Sequence, residues 1–164
     1  MKALAWGILI ILTVAVQAAL LPLAAIYGAK PDLLLIIVVS SGILYGKEAG
    51  IGTGFFAGLL QDLASGNVFG LNLIAKMIVG FVFGLAERKV FKEQLLLPVL
   101  AIALASLGNS MITLTFIAMR GYAVDWPAAV VSVILPTIAY NMLVVIPVHS
   151  LFAKLTRIVS RYCD

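Results

Sequence analysis

The chain has 164 residues, a formal net charge of +4, 63% hydrophobic residues and only 11% charged ones, with a mean hydropathy of +1.18. A soluble domain of this length has no interior large enough for so much apolar surface, whereas a bilayer accepts it, so the composition predicts a single all-α integral membrane domain. The basic residues stand at the ends of apolar runs rather than on an amphipathic face, which excludes nucleic acid as the reason for the charge.

Residues 3–26 form the first apolar run, behind Lys2. A signal peptide needs an apolar core of only about 7–15 residues, so this longer run predicts a retained first span. Lys30-Pro31-Asp32 then breaks the chain. Pro31 imposes an extended approach to the next helix, and Asp32 suits that helix's N-terminus, where an acid offsets the dipole. Two apolar runs follow, 33–46 and 49–65, interrupted by Gly46-Lys47-Glu48. The apolar part of the first of them, 33–45, rises only about 20 Å against a hydrocarbon core of about 30 Å. Two short spans, one long kinked span and a re-entrant hairpin all fit this stretch. Gly66 suits a left-handed helix cap, and Gly70 belongs to the same turn.

The next run is 71–86, followed by the one dense charge cluster between spans, 87–93. Residues 95–119 make a full-length span. Asp125 is placed as an N-cap with Pro127 at a tolerated first-turn position, and 128–152 form the last span before a tail carrying Lys154, Arg157 and Arg161. Cys163, the only cysteine, cannot form an internal disulfide and lacks a prenylation context.

Six spans with the N-terminus inside put eight bases on the inner side (Lys2, Lys47, Arg88, Lys89, Lys92, Lys154, Arg157 and Arg161) against Lys30 and Arg120 outside. Merging 33–65 into one span gives five crossings and a ratio of seven to two, with the C-terminus inside in both cases. Six crossings are preferred, because Lys47-Glu48 at mid-membrane would be costly.

Two stripes at four-residue spacing organise the middle of the chain: Gly46, Gly50, Gly54, Gly58 and Asp62, then Asn72, Lys76, Gly80, Gly84 and Arg88. Small residues four apart let membrane helices approach closely, either within the chain or at a subunit interface that includes a second copy of it. Asp62 and Lys76 each stand at the wrong end of their helix dipole, an acid near a C-terminus and a base near an N-terminus. A pair across the 63–71 turn, or with a partner chain, would compensate both. Separate snorkelling to the interface is the alternative, as is a turn built from Asp62, Ser65 and Asn67. Ser106, Asn109, Ser110 and Thr113 share one face of the fifth span. A buried amide there needs a partner, for which Tyr140-Asn141 is the candidate, with Pro136 freeing backbone carbonyls one turn earlier. A polar substrate cavity is the sharper reading of the same residues. His149 reads as an interfacial residue, since nothing completes a metal geometry around it. No nucleophile with a base, phosphate loop or intramembrane carboxylate pair is present in the pattern, so neither catalysis nor a cofactor is expected.

Several of these stretches resemble the MreD family of rod shape-determining proteins: Pro31-Asp32-Leu33-Leu34-Leu35, the run GIGTGFFAGLLQDLASGNVFGL from Gly50, Gly80 with Gly84, and PTIAYNMLVVIPVHSLFAKL from Pro136. The resemblance covers nearly the whole chain, and the order and spacing of the motifs carry it more than any one of them. It implies a non-enzymatic multi-pass protein of the bacterial inner membrane, with both termini cytoplasmic on the charge count. Its fold would be similar to that of the substrate-binding subunits of energy-coupling-factor vitamin transporters. The implied partners are MreC and, through it, the actin-like MreB, the glycosyltransferase RodA and a class B penicillin-binding transpeptidase. The family pattern falls on Pro31, Asp32, Gly54, Gly58, Asp62, Gly66, Gly70, Gly80, Gly84 and Asn141, and leaves Lys76 without a counterpart. Two functions are therefore expected in competition. One is a scaffold subunit of the cell-elongation machinery that binds MreC and links the MreB filament to peptidoglycan synthesis, with the 46–88 hairpin as its partner-binding element. The other is the substrate-binding membrane subunit of a vitamin transporter, with a cavity lined by Asn109, Tyr140 and Asp62.

Overall fold

In the computed structural model, residues 2–20, 30–66, 69–85 and 96–162 are described, and every regular element among them is helical. The elements are α1 (Lys2–Leu20), α2 (Leu33–Tyr45), α3 (Lys47–Ser65), α4 (Leu71–Leu85), α5 (Leu96–Met119), the single turn α6 (Trp126–Ala129) and α7 (Leu135–Tyr162). A π-helical stretch, Val130–Ile134, joins α6 to α7 as one continuous rod. In that stretch the Leu135 N–H donates to the Val130 carbonyl five residues back. The wide turn immediately precedes Pro136, whose ring would crowd the carbonyl of residue 132 in a regular α-helix. The end of the first apolar run (21–26) with residues 27–29, and the 87–93 charge cluster with Arg88, lie outside the described residues, as do Asn67 and Cys163.

The centre of the bundle is α2. Its sequence, LLLIIVVSSGILY, has no polar face, and a helix apolar all round is one that is covered all round. Ten of its thirteen residues are buried, from Leu34 through Ile43. Leu35, Ile36, Val39 and Ile43 pack with Val79 of α4, Ala101, Ile102 and Ala105 of α5 and Val145 of α7. On the opposite side Leu34 and Val38 meet Ile10 of α1 and Ala57 of α3.

Residues 33–65 are not one kinked span. Gly46 separates α2 from α3 with φ 88° and ψ −179°, a conformation that belongs to glycine, and the chain folds back there. The Ser41 and Thr53 hydroxyls consequently meet at 2.8 Å, whereas twelve residues of straight helix would hold them about 18 Å apart. The single helix over this stretch that the five-crossing reading assumes is therefore not what forms.

Helix directions follow from paired contacts. Asp32 and Ser40 of α2 bond to Asn141 and His149 of α7, each at 2.8 Å. Eight residues separate the two contacts on either helix, so α2 and α7 run parallel. Asp32 meets Lys76, and Gly42 lies against Gly80 and Gly84, so α4 runs the same way. By contrast α3 is antiparallel to α4, with Gly50 on Gly80, Gly54 on Lys76 and Gly58 on Leu73.

The α2 N-terminus starts deep in the bundle. Asn141 lies fifteen residues into the rod that begins at Trp126, a rise of about 22 Å, and Ser106 lies a comparable ~20 Å from the Met119 end of α5. Asp32 shares a hydrogen-bonded cluster with both, so α2 begins near their mid-height, and its length of about 20 Å fills only the remaining half. Two helical stretches, Pro98–Met119 and Trp126–Leu155, are long and apolar enough to cross a membrane; α2 and α4 are apolar but shorter. Large apolar side chains point outward on every side, including Phe56, Leu63, Phe81, Leu104, Leu143 and Leu151, while Lys76, Asp62, Asn141 and Ser106 are buried.

Candidate functional site

Where α2 begins, four helices contribute to one polar cluster. Asp32 caps α2 by accepting the Leu35 N–H on Oδ1 at 2.9 Å. Its other oxygen, Oδ2, holds the Lys76 ammonium at 2.6 Å. The Asp32 backbone N–H donates to Asn141 Oδ1 at 2.8 Å, and Asn141 Nδ2 donates to Ser106 Oγ at 2.8 Å. Lys76 is 0% exposed and Asp32 13%. The ammonium can be buried because it is neutralised where it lies, and the carboxylate keeps one oxygen for the helix terminus. Pro31, also buried, precedes Asp32 and has no N–H to leave unsatisfied there.

This arrangement corrects the pairing expected between Asp62 and Lys76. Asp62 does not reach for the lysine. Its Oδ2 accepts the N–H groups of Gly70 and Leu73 at 2.9 and 3.1 Å, and its Oδ1 accepts the Asn72 N–H and side-chain amide at 3.0 and 2.9 Å. Read along α3 alone, an acid near a C-terminus is misplaced. Across the hairpin it caps the N-terminus of α4, satisfying orphan donors and opposing the positive end of that dipole. Gly66 (φ 62°) and Gly70 (φ 93°) take the left-handed conformations that bring the turn back to it.

The two glycine faces meet each other. A Cβ on Gly50 or Gly80 would run into the backbone carbonyl of the other, one on Gly84 into Lys47, one on Gly58 into Leu73, and one on Gly54 would lie 2.5 Å from the Lys76 carbonyl. These faces are thus closed within the chain, and a partner helix cannot use them without opening the hairpin. Gly46 serves as the turn residue described above and also packs against Gly84.

The polar face of α5 divides in two. Ser106 joins the central cluster, so Asn141 bonds to Ser106 rather than to Asn109. Asn109 Oδ1 and Thr113 Oγ1 are buried with no hydrogen-bond partner, as is Gln61 Oε1 on α3. Each such atom costs about 1–3 kcal/mol. Tyr140 is half-buried in the turn before Asn141. Both Asp62 oxygens are engaged on α4, away from the shared cavity expected with Asn109 and Tyr140. A different opening lies between the α3–α4 turn and the end of α5, about 760 Å³ in volume, with Gln61, Asn72, Thr113 and Arg120 among its walls.

Two buried hydroxyl contacts escape a reading of periodicity. Ser40 bonds to His149 Nδ1, and Ser41 to Thr53, so His149 is tied to the central helix. The Ser40-Ser41 pair in an otherwise aliphatic helix was the available signal. Among the described residues no three of His, Cys, Asp and Glu gather as a metal-binding group.

A family model for rod shape-determining protein MreD matches residues 1–159. The chain belongs to the MreD family. Comparison with curated proteins and with solved structures finds no match. MreD membership fits a role in the machinery that determines rod shape, a family of shape-determination components rather than of catalysts. Together with the two long apolar helices it marks this MreD family chain as a membrane protein. Its central Asp32, Lys76 and Asn141 cluster and the Asp62 cap all fall inside the matched range.

Proposed function

We propose that this chain is a non-enzymatic scaffold subunit of the bacterial cell-elongation machinery. It crosses the inner membrane six times, with both termini in the cytoplasm, and binds MreC. Through MreC it connects the MreB filament to RodA and its partner transpeptidase, and so to peptidoglycan synthesis. The observation that supports the reading best is the inverted polarity of the bundle. Lys76, Asp62 and Asn141 are buried and partnered in its interior, while large apolar side chains stand exposed along its helices, the arrangement lipid favours and water does not. Fold-back at Gly46 and the alternating directions of α2, α3 and α4 support six crossings over five, and the eight-to-two distribution of bases supports the orientation.

With the glycine faces closed, the surface left for a partner's membrane helix is the outer ridge of the hairpin. There Ile74, Ile78, Phe81 and Leu85 stand exposed at helical spacing on α4. In affinity purification from membranes in mild detergent, MreC and the wall-synthesis enzymes are the expected companions, and Ile78→Arg with Phe81→Arg should release them without unfolding the chain. Recovery of a vitamin in their place would overturn the scaffold reading.

A further inference from the structure

The opening between the α3–α4 turn and the end of α5 has the features of a binding site. Its volume, about 760 Å³, lies within the range of about 300–1,000 Å³ that small-molecule sites occupy. Gln61 and Thr113 line it, and each carries a buried oxygen without a hydrogen-bond partner. Asn109, one turn deeper than Thr113 on the same face of α5, adds a third. Orphaned acceptors beside a cavity call for a guest that donates hydrogen bonds, and rotation about the Gln61 and Thr113 side-chain torsions presents their oxygens to it.

Charge narrows the guest further. Arg120 closes the cavity at the Met119 end of α5. Among the described residues no carboxylate lies within ion-pair range of its guanidinium. The nearest acid of the turn, Asp62, has both oxygens committed to four N–H donors of the α4 terminus. The site therefore offers a planar, five-donor cation suited to a phosphate and no free carboxylate for an ammonium group. That favours neutral donors for Gln61 and Thr113, and among the groups a phosphate ester carries these are hydroxyls.

We propose that this cavity binds a phosphate ester carrying free hydroxyls. That chemistry is shared by the headgroup of phosphatidylglycerol and by soluble glycerol phosphate. Arg120 takes the phosphate, and the Gln61 and Thr113 oxygens accept from the hydroxyls. The assignment is independent of which proteins the chain scaffolds, because it concerns one end of the bundle and not the outer ridge of α4.

The test uses the full chain in detergent micelles doped with phosphatidylglycerol or phosphatidylcholine, and separately with sn-glycerol 3-phosphate. Retention by native mass spectrometry and the thermal midpoint are the readouts. Phosphatidylglycerol or glycerol phosphate is expected to bind and raise the midpoint, and Arg120→Ala, a change at an exposed residue, to weaken binding about tenfold or more. The double variant Gln61→Met with Thr113→Val should lose the preference for hydroxylated headgroups. Its midpoint without ligand should match or exceed that of wild type, since it removes two unsatisfied oxygens. A response to glycerol phosphate alone identifies a soluble ligand, and a response to phosphatidylglycerol only identifies the lipid; either supports the site. Equal retention of both lipids by wild type and Arg120→Ala, with no effect of glycerol phosphate, would overturn it. So would a lowered ligand-free midpoint in the double variant, which would make the two oxygens structural.

Discussion

Replacing Asp32 with asparagine isolates the charge at the centre of the bundle. Asparagine caps a helix as well as aspartate does, so the bond to the Leu35 N–H survives, and the backbone N–H to Asn141 is untouched. What disappears is the counter-charge 2.6 Å from an ammonium with no exposure. Removing one partner of a buried pair costs about 3–5 kcal/mol, because the remaining charge is left uncompensated. At roughly 2–4 °C per kcal/mol, the scale of water-soluble domains of this size, the melting midpoint should fall by about 6–20 °C. Lys76→Met removes the other partner. It leaves a carboxylate that is partly exposed and still sits on the α2 terminus, so its loss should be smaller, about 1–3 kcal/mol. The double variant should lie within about 1 kcal/mol of Lys76→Met alone, giving a coupling of about 2 kcal/mol or more. Thermal unfolding in mild detergent, followed through tryptophan fluorescence, measures all four corners of the cycle. Additive losses, or an Asp32→Asn midpoint within a degree or two of wild type, would refute the pairing.

Gly50→Ala and Gly80→Ala each place a methyl group against backbone and should lower stability by more than about 2 kcal/mol. Gly52→Ala, with nothing near its added methyl, should instead gain about 0.5–1 kcal/mol in the same unfolding assay. Asp62→Ala strips the acceptor from three backbone N–H groups, so hydrogen exchange at Gly70, Asn72 and Leu73 should accelerate more than anywhere else in α4. With Cys163 replaced by serine, Ser41→Cys and Thr53→Cys should cross-link within one chain under mild oxidation. Absence of that product on a denaturing gel would count against the fold-back at Gly46. Fluorescent and phosphatase reporters fused to the N-terminus should both read a cytoplasmic location; an external N-terminus would sink the orientation.

Much of the local structure was legible in the residues themselves. A chain with 63% hydrophobic residues and apolar runs bounded by proline, glycine and acids announces helices and where they stop. Gly66 and Gly70 do adopt the positive φ values of the turn expected there, and Asp32 and Asp125 do cap the helices they precede. These features depend on a residue and its immediate neighbours, so composition and spacing carry them.

Partnership is another matter. Four-residue spacing placed Lys76 on a face with Gly80 and Gly84, yet gave no hint that the ammonium would cross to Asp32, forty-four residues earlier. That choice depends on α2 and α4 running parallel with their termini at one height. The fold-back at Gly46 and the α3–α4 turn decide it together. Asp62 looked misplaced for the same reason: its own helix offers the wrong dipole end, and only the hairpin supplies the right one. The short α2 looked like a span too thin for a bilayer until its start was located at the mid-height of α5 and α7. Periodicity reports which way a side chain points from its helix. What it meets there is settled by the packing of all the helices at once, because buried charges and amides take whichever partner the shared interior brings within hydrogen-bond reach.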